Sequence, residues 1–290
     1  LMEVAELPHS EGCLPVTAEE FYQRLSGVRM RDLAFSYDDE EAEGAPVSAG
    51  GMEASPEEEA VSLACTNVFV PKGSFVVVEG PSGSGKSTLF KLLLGAYDAD
   101  GFAFELAEGA ATSAAAAPDA PAGAPLADAP AAGATTAVSA YAASQVPPGV
   151  FAYVPQDNFL FAGSIRENVA FAAPDATDDQ VKRACEVACA WGFVEELPLG
   201  LDTMIGEHGQ GLSQGQLQRL AIARAVCSGA PIMVLDEVTS ALDDATEAAV
   251  LANIASLPGK TVFVAAHRAK AREFATMRLH VEDGVLTEAR

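Results

Sequence analysis

Along the chain, short all-apolar runs alternate with longer stretches of helical periodicity. Residues 75–78 (FVVV), 150–154 (VFAYV), 232–235 (IMVL) and 261–266 (TVFVAA) are too short for helices and too apolar for a half-exposed sheet. They predict strands buried on both faces. Residues 31–37 (RDLAFSY) alternate with a period of two, and 61–70, 101–105, 277–281 and 285–286 add further strand-like segments. Between them, helices are predicted over 88–94, 164–171, 177–191, 213–227 and 243–256. Buried strands alternating with helices indicate an α/β fold built on a mainly parallel sheet.

Helix starts are marked by local chemistry. Thr177 with Gln180, and Ser213 with Gln216, form capping boxes. Asp243 or Asp244 supplies the cap of the last long helix. Three stretches stand outside the pattern. Residues 1–29 predict a linker that ends in a short helix. An acidic insertion covers 38–60, where residues 38–59 hold nine Asp or Glu and no Lys or Arg. Residues 107–149 are dominated by Ala, Pro and Gly, and no Lys or Arg occurs between Lys91 and Arg166. That composition predicts an insertion loop at the domain edge.

Composition narrows the partners. The 290 residues are 49% apolar, enough for a substantial core. A formal net charge of −24 repels polyphosphate backbones and excludes nucleic acid as a partner. There are five cysteines and no CxxC pair. Cys185 and Cys189, an i, i+4 pair beside Val181 and Ala188, read as core packing rather than a zinc site. Reduced thiols fit a cytosolic setting. No apolar run approaches the roughly 18 residues needed to cross a bilayer. Residues 1–7 carry two glutamates and no basic residue, unlike a signal peptide.

The candidate chemistry sits at strand ends. Gly80-Pro81-Ser82-Gly83-Ser84-Gly85-Lys86-Ser87-Thr88 follows the strand at 75–78 and opens a helix. Strand, glycine-rich turn and helix are the context of a phosphate-binding loop. Its glycines let successive N–H groups point at an anion, and the helix adds its positive end. Lys86 can reach the β- and γ-phosphates, and the Ser87 hydroxyl can sit on Mg²⁺. Gln156, Asp236, Glu237 and His267 end three further apolar strands, where ligands of open α/β sheets bind. Asp236 can hold Mg²⁺ through water, Glu237 can polarise an attacking water, and His267 can contact the γ-phosphate. Tyr37 can stack on a purine or fill a core edge.

With these residues assembled, the chain resembles the nucleotide-binding domain of ABC transporters over about residues 30–288, apart from the two insertions. Gly80 to Thr88 resembles Walker A. Leu212-Ser213-Gln214-Gly215-Gln216 resembles the ABC signature, with Gln214 where the family usually has Gly. IMVLDE at 232–237 resembles Walker B followed by the catalytic glutamate. Ser240-Ala241-Leu242-Asp243 matches the D-loop, Gln156 the Q-loop, His267 the H-loop and Tyr37 the A-loop aromatic. Residues 159–168 (FLFAGSIREN) and 197–211 (LPLGLDTMIGEHGQG) resemble the helical subdomain of exporters, Glu207 standing at the X-loop acid.

The resemblance implies a P-loop NTPase core with an antiparallel β subdomain and a helical subdomain over 157–228, the ATPase domain filling 30–290 after a linker from a membrane domain. It implies ATP and Mg²⁺ as cofactors. The catalytic residues would be Glu237, His267 and Gln156, and the metal site Ser87, Gln156 and Asp236. Nucleotide would be bound by Tyr37, Gly80, Ser82, Gly83, Ser84, Gly85, Lys86, Ser87 and Thr88. In a head-to-tail dimer, Ser213, Gln214, Gly215 and Gln216 would face the opposing ATP, with Asp243 in the D-loop. Partners would be a second ATPase domain and the coupling helices of a transmembrane domain, at the cytoplasmic face of the membrane. Two other readings stay open: a nucleotide-holding half of a heterodimeric transporter, and an ABC ATPase with no transport role.

Overall fold

The computed structural model describes residues 13–37, 62–107, 138–157, 159–206, 211–266 and 269–289. The acidic insertion at 38–60, most of 107–149, Glu207 and His267 lie outside the described residues. The first half runs through α1 (Ala18–Arg24), β1 (Leu25–Phe35), β2 (Leu63–Pro71), β3 (Phe75–Glu79), α2 (Lys86–Leu93), β4 (Phe102–Ala107), β5 (Val138–Tyr141) and β6 (Phe151–Val154). A helical region follows, with β7 (Gly163–Ser164), α3 (Ile165–Val169), α4 (Asp178–Val187), α5 (Trp191–Glu196), β8 (Met204–Ile205) and α6 (Gln214–Cys227). The chain then returns to the sheet through β9 (Ile232–Asp236), α7 (Asp244–Ala255), β10 (Thr261–Ala265), β11 (Met277–Glu282) and β12 (Val285–Ala289).

Ten strands form one sheet in the order β5-β4-β1-β2-β12-β11-β3-β10-β9-β6. From β11 to β6 every neighbour is parallel, while β5-β4-β1-β2 is an antiparallel block. The all-apolar strands are buried on both faces, and the two-residue period divides their side chains. Phe75 and Val77 of β3, Met233 and Leu235 of β9, and Val262 and Val264 of β10 pack on one face, towards α3, α4, α6 and α7. Val76 and Val78, Ile232 and Val234, and Phe263 and Ala265 pack on the other, with Phe90 and Leu93 of α2 and the antiparallel block. Each such side chain contributes about 1.5–3 kcal/mol of burial, so the central strands are held from both sides. Their carboxyl ends, where Glu79 and Asp236 lie, therefore sit on a rigid base.

The structure departs from the sequence pattern in four places. Strand β1 begins at Leu25 rather than near residue 31, and α1 packs on the sheet with Phe21 and Tyr22 buried. The Tyr22 hydroxyl hydrogen-bonds the Thr261 hydroxyl at 2.9 Å. Residues 18–29 are therefore part of the folded body and not linker. Gly27 hides the strand signal: it sits so close to β2 that a Cβ would lie 2.3 Å from the Val70 carbonyl oxygen. The end of the 107–149 segment is likewise not loop, because β5 pairs with β4 and Val146 is buried. Helix α4 stops at Val187, short of Trp191, since Cys189 takes a left-handed φ of 53° and Arg219 donates to its carbonyl at 2.7 Å. Cys189 is thus beyond the helix, while Cys185 is core as expected. The two-residue ladder of β7 and β8 is too short to leave a sequence signature.

Candidate functional site

The N-terminus of α2 carries the site. Gly85 is its N-cap, with φ 111°, and no side chain caps the first turn. The backbone N–H groups there are left for another acceptor. Gly80 and Gly85 are required by crowding. A Cβ on Gly80 would lie 2.0 Å from the Val281 carbonyl oxygen, and one on Gly85 would lie 2.9 Å from that of Ser62. The loop also rests on the hairpin of β11 and β12, where the Gly284 N–H donates to the Ser84 carbonyl at 3.2 Å.

Lys86 is buried, and its ammonium donates to the carbonyls of Gly80 (2.9 Å) and Pro81 (2.8 Å). It lies 3.8 Å from a carboxylate oxygen of Glu237. Ser87 donates to Asp236 at 3.4 Å, and the Tyr153 hydroxyl donates to the same oxygen at 3.4 Å. Burial, reinforced by the charge of Glu237, raises the Asp236 carboxyl above the usual carboxylate range. Burial beside Asp236 pushes the Tyr153 phenol up to about 12. Glu237 itself holds a left-handed backbone, φ 52°, at the end of β9. A non-glycine residue in that region stores strain that the surrounding structure must impose.

These groups surround a cavity of about 600 Å³ lined by Tyr37, residues 81–88, Gln156 and Glu237, with Ser62, Asp283 and Gly284 completing the wall. Tyr37 stands at its rim. Its hydroxyl shares a 3.1 Å hydrogen bond with that of Thr88, and its ring makes edge contacts with Phe35 and Tyr97. The Lys91 ammonium lies 5.1 Å from the Tyr37 ring centre. The sequence predicted Tyr37, residues 80–88, Gln156, Asp236 and Glu237 and the fold brings them together. It did not point to Ser62, Tyr153, Asp283 or Gly284, which sheet pairing brings to the site, or to Tyr97, which follows α2 and meets the Tyr37 ring edge-on.

Ser213, Gln214, Gly215, Gln216 and Asp243 lie apart from this cavity, at the starts of α6 and α7. Ser213 caps α6, with Gln216 reaching back to the Ser213 N–H at 2.8 Å. Asp243 caps α7, accepting from the N–H groups of Ala245 (3.1 Å) and Thr246 (3.0 Å). A Cβ on Gly215 would lie 3.1 Å from the Ala241 carbonyl oxygen, so the two helix starts touch.

A parallel-stranded sheet ending in a glycine loop, a buried lysine and paired carboxylates defines a P-loop nucleotide-binding domain. The family model described as "ABC transporter" matches residues 63–240. The chain belongs to the ABC transporter family. It is 37% identical, over 76% of its length, to the probable multidrug resistance ABC transporter ATP-binding/permease protein YheI of Bacillus subtilis, covering 33% of that protein. It is 35% identical to an ATP-dependent lipid A-core flippase of Vibrio vulnificus, over 92% of this chain and 38% of that one. Among solved structures, an ATP-bound bacterial Atm1-family ABC exporter superimposes with a TM-score of 0.69 at 26% identity, over 99% of this chain and 41% of that one. The chain thus spans about a third of the length of these curated relatives. Among the described residues, no helix is long and apolar enough to cross a membrane.

Proposed function

We propose that this domain binds ATP with Mg²⁺ in the cavity below Tyr37 and hydrolyses it, driving transport through a membrane domain. The observation that carries the reading is the convergence of Lys86, Ser87, Gln156 and Glu237 on one cavity at an uncapped helix N-terminus. An anion is favoured there by the helix end and by Lys86, whose loop carbonyl partners a phosphate can replace. Tyr37 offers a ring for the base. Ser87 and Asp236 place two oxygens 3.4 Å apart, and with Gln156 they form the all-oxygen donor set that suits Mg²⁺. When bound, Mg²⁺ would neutralise charge developing on the phosphates. Glu237 would accept a proton from the attacking water, its strained backbone holding the carboxylate beside Lys86. His267 would contact the γ-phosphate, and Gly80, Ser82, Gly83, Ser84, Gly85 and Thr88 would shape the loop around it.

The second half of the reading is a head-to-tail dimer, in which Ser213, Gln214, Gly215, Gln216 and Asp243 face the ATP of a second ATPase domain. The coupling helices of a transmembrane domain would dock on the helical region. That region exposes Phe159, Phe171, Leu199 and Met204, the last two-thirds accessible at 68%. In this reading the domain would sit at the cytoplasmic face of a membrane. The test is solution mass by light scattering for Glu237→Gln, with and without Mg-ATP, beside ATP turnover of the wild type. A dimer formed only with nucleotide, together with wild-type turnover, supports the reading. A monomer throughout, with no turnover, overturns it.

Gln214, at a position where the family usually has Gly, favours one alternative: a nucleotide-holding half of a heterodimer. Unchanged turnover in a mixed dimer whose only altered residue is Glu237→Gln of this chain would support that role.

A further inference from the structure

The buried face of α6 contains a polar residue that neither nucleotide site absorbs. Gln218 is buried on that helix together with Leu217, Leu220 and Ala221, the residue being only 2% exposed. Both ends of the amide are used. Its oxygen accepts from the Ala241 N–H at 3.1 Å, and its nitrogen donates to the Ser240 hydroxyl at 3.2 Å. Three residues earlier on the same helix face, Gly215 brings the α6 backbone against the Ala241 carbonyl, where even a Cβ would be 3.1 Å away. Residues 240–242 are therefore fastened to α6 by two hydrogen bonds and one close backbone contact.

The same segment is fastened to α7 as well. Thr239 donates to Glu247 at 2.8 Å, a bond wholly inside the protein, and Asp243 caps the helix. Upstream, the Ser240 N–H donates to the Glu237 carbonyl at 3.3 Å. The segment from Glu237 to Asp243 is thus a bridge whose two outer anchors belong to β9 and α7 and whose middle is held by Gln218 from α6.

We infer that Gln218 is a positioning residue that locks residues 240–243 to the Ser213–Gln216 turn, so that both meet the opposing nucleotide as one rigid body. This rests on the head-to-tail reading given above. Gln218 touches no nucleotide in this arrangement. It acts by holding two separate contact elements in register, and it also ties them to the chain's own Glu237 three residues before Ser240. Buried amides that satisfy both their donor and their acceptor specify one geometry, because any displacement leaves polar groups unpaired.

The test uses the full chain with Gln218→Leu, Gln218→Glu and Ser240→Ala. Gln218→Leu should leave ATP affinity of the single chain within about twofold, since Gln218 does not line the Lys86 cavity. It should lower kcat by about 10- to 100-fold, the scale of a misplaced contact, and speed hydrogen exchange at the Ala241 N–H. Ser240→Ala, at an exposed residue, removes the hydroxyl to which Gln218 donates and should give a smaller loss of the same sign. Gln218→Glu keeps acceptors for both the Ala241 N–H and the Ser240 hydroxyl and should recover part of kcat. Wild-type kcat in Gln218→Leu overturns the inference. So does a parallel fall of affinity and kcat in all three variants, which marks a folding defect alone. If the wild type neither pairs nor turns over ATP, the head-to-tail reading falls and takes the inference with it. Unchanged exchange at Ala241 in Gln218→Leu overturns the lock even where the dimer is confirmed.

Discussion

Helices α2 and α6 both begin at a proposed nucleotide contact, and they finish those beginnings in different ways. Helix α6 satisfies its own first turn: Ser213 and Gln216 form a reciprocal box. Helices α1, α3 and α4 do the same through Thr17 and Glu20, Ser164 and Glu167, and Thr177 and Gln180. Helix α2 instead starts at a left-handed glycine with no side-chain cap, and its first turn opens into the cavity. In this fold the capping box is thus a general structural device. Helix α5 also starts without a side-chain cap, at Ala190, but the bare first turn of α2 lines the cavity, where a ligand is expected to supply the missing acceptors. On the head-to-tail reading Ser213 would have a stricter task, because a hydroxyl that caps its own helix would also serve a phosphate presented by a partner.

Four experiments break or sharpen this contrast. The largest effect is expected at the α2 side. Glu237→Gln should lower turnover by about 10²- to 10⁴-fold while nucleotide binding persists; turnover at the native rate removes Glu237 from the chemistry. Lys86→Met should weaken ATP binding by about 10- to 100-fold, the value of one or two charge-assisted hydrogen bonds, as read by titration with a fluorescent nucleotide. Native affinity in that variant would mean the uncapped helix end alone holds the anion.

At the α6 side the effect should move from affinity to stability. Ser213→Ala should cost about 1 kcal/mol of folding stability through the lost cap, or about 2–4 °C in the melting midpoint for a domain of this size. The single chain's ATP affinity should hold. A loss of affinity without destabilisation would erase the distinction between the two helix starts.

The smallest effect concerns the core that carries α6. Burial pushes the Cys185 thiol up to about 12. A thiol is an acid, so the folded protein keeps this proton where the unfolded chain, near 8.5, has lost it. The contribution to stability is fully present below about pH 8.5 and declines as pH rises towards 12. At pH 9, iodoacetamide should label native Cys185 at least about 100-fold more slowly than in the urea-unfolded chain. Equal rates would show that this core opens readily and that α6 is not rigidly seated.

The contrast also explains what was legible in the sequence. The α2 site is contiguous: nine residues, 80–88, carry most of its chemistry, and apolar strands announce Asp236 and Glu237. The box at Ser213 is equally local. What escaped is non-local or depends on small residues. Gln218 reads as one more polar residue on a helix, and only the approach of Ala241 gives its amide a purpose. Asp283 and Gly284 reach the cavity because β11 pairs with β3 some 200 residues away in sequence. Gly27 concealed the early start of β1, since a strand residue without a side chain breaks the alternation that periodicity detects. A signal for Gln218 did exist: it falls three residues after Gly215, on the same helix face.

The pairing beneath the phosphate loop sets an order in time. Gly80 abuts the Val281 carbonyl, and Ser84 accepts from Gly284. On the ribosome the loop is made roughly 200 residues before its floor, a delay of roughly 10–40 s at ordinary elongation rates. Through that interval the glycine turn has no hairpin to rest on, so nucleotide cannot template the early steps. On the proposed reading it would act only on a nearly finished domain, as a late stabiliser whose arrival reports that β11 and β12 have closed the sheet.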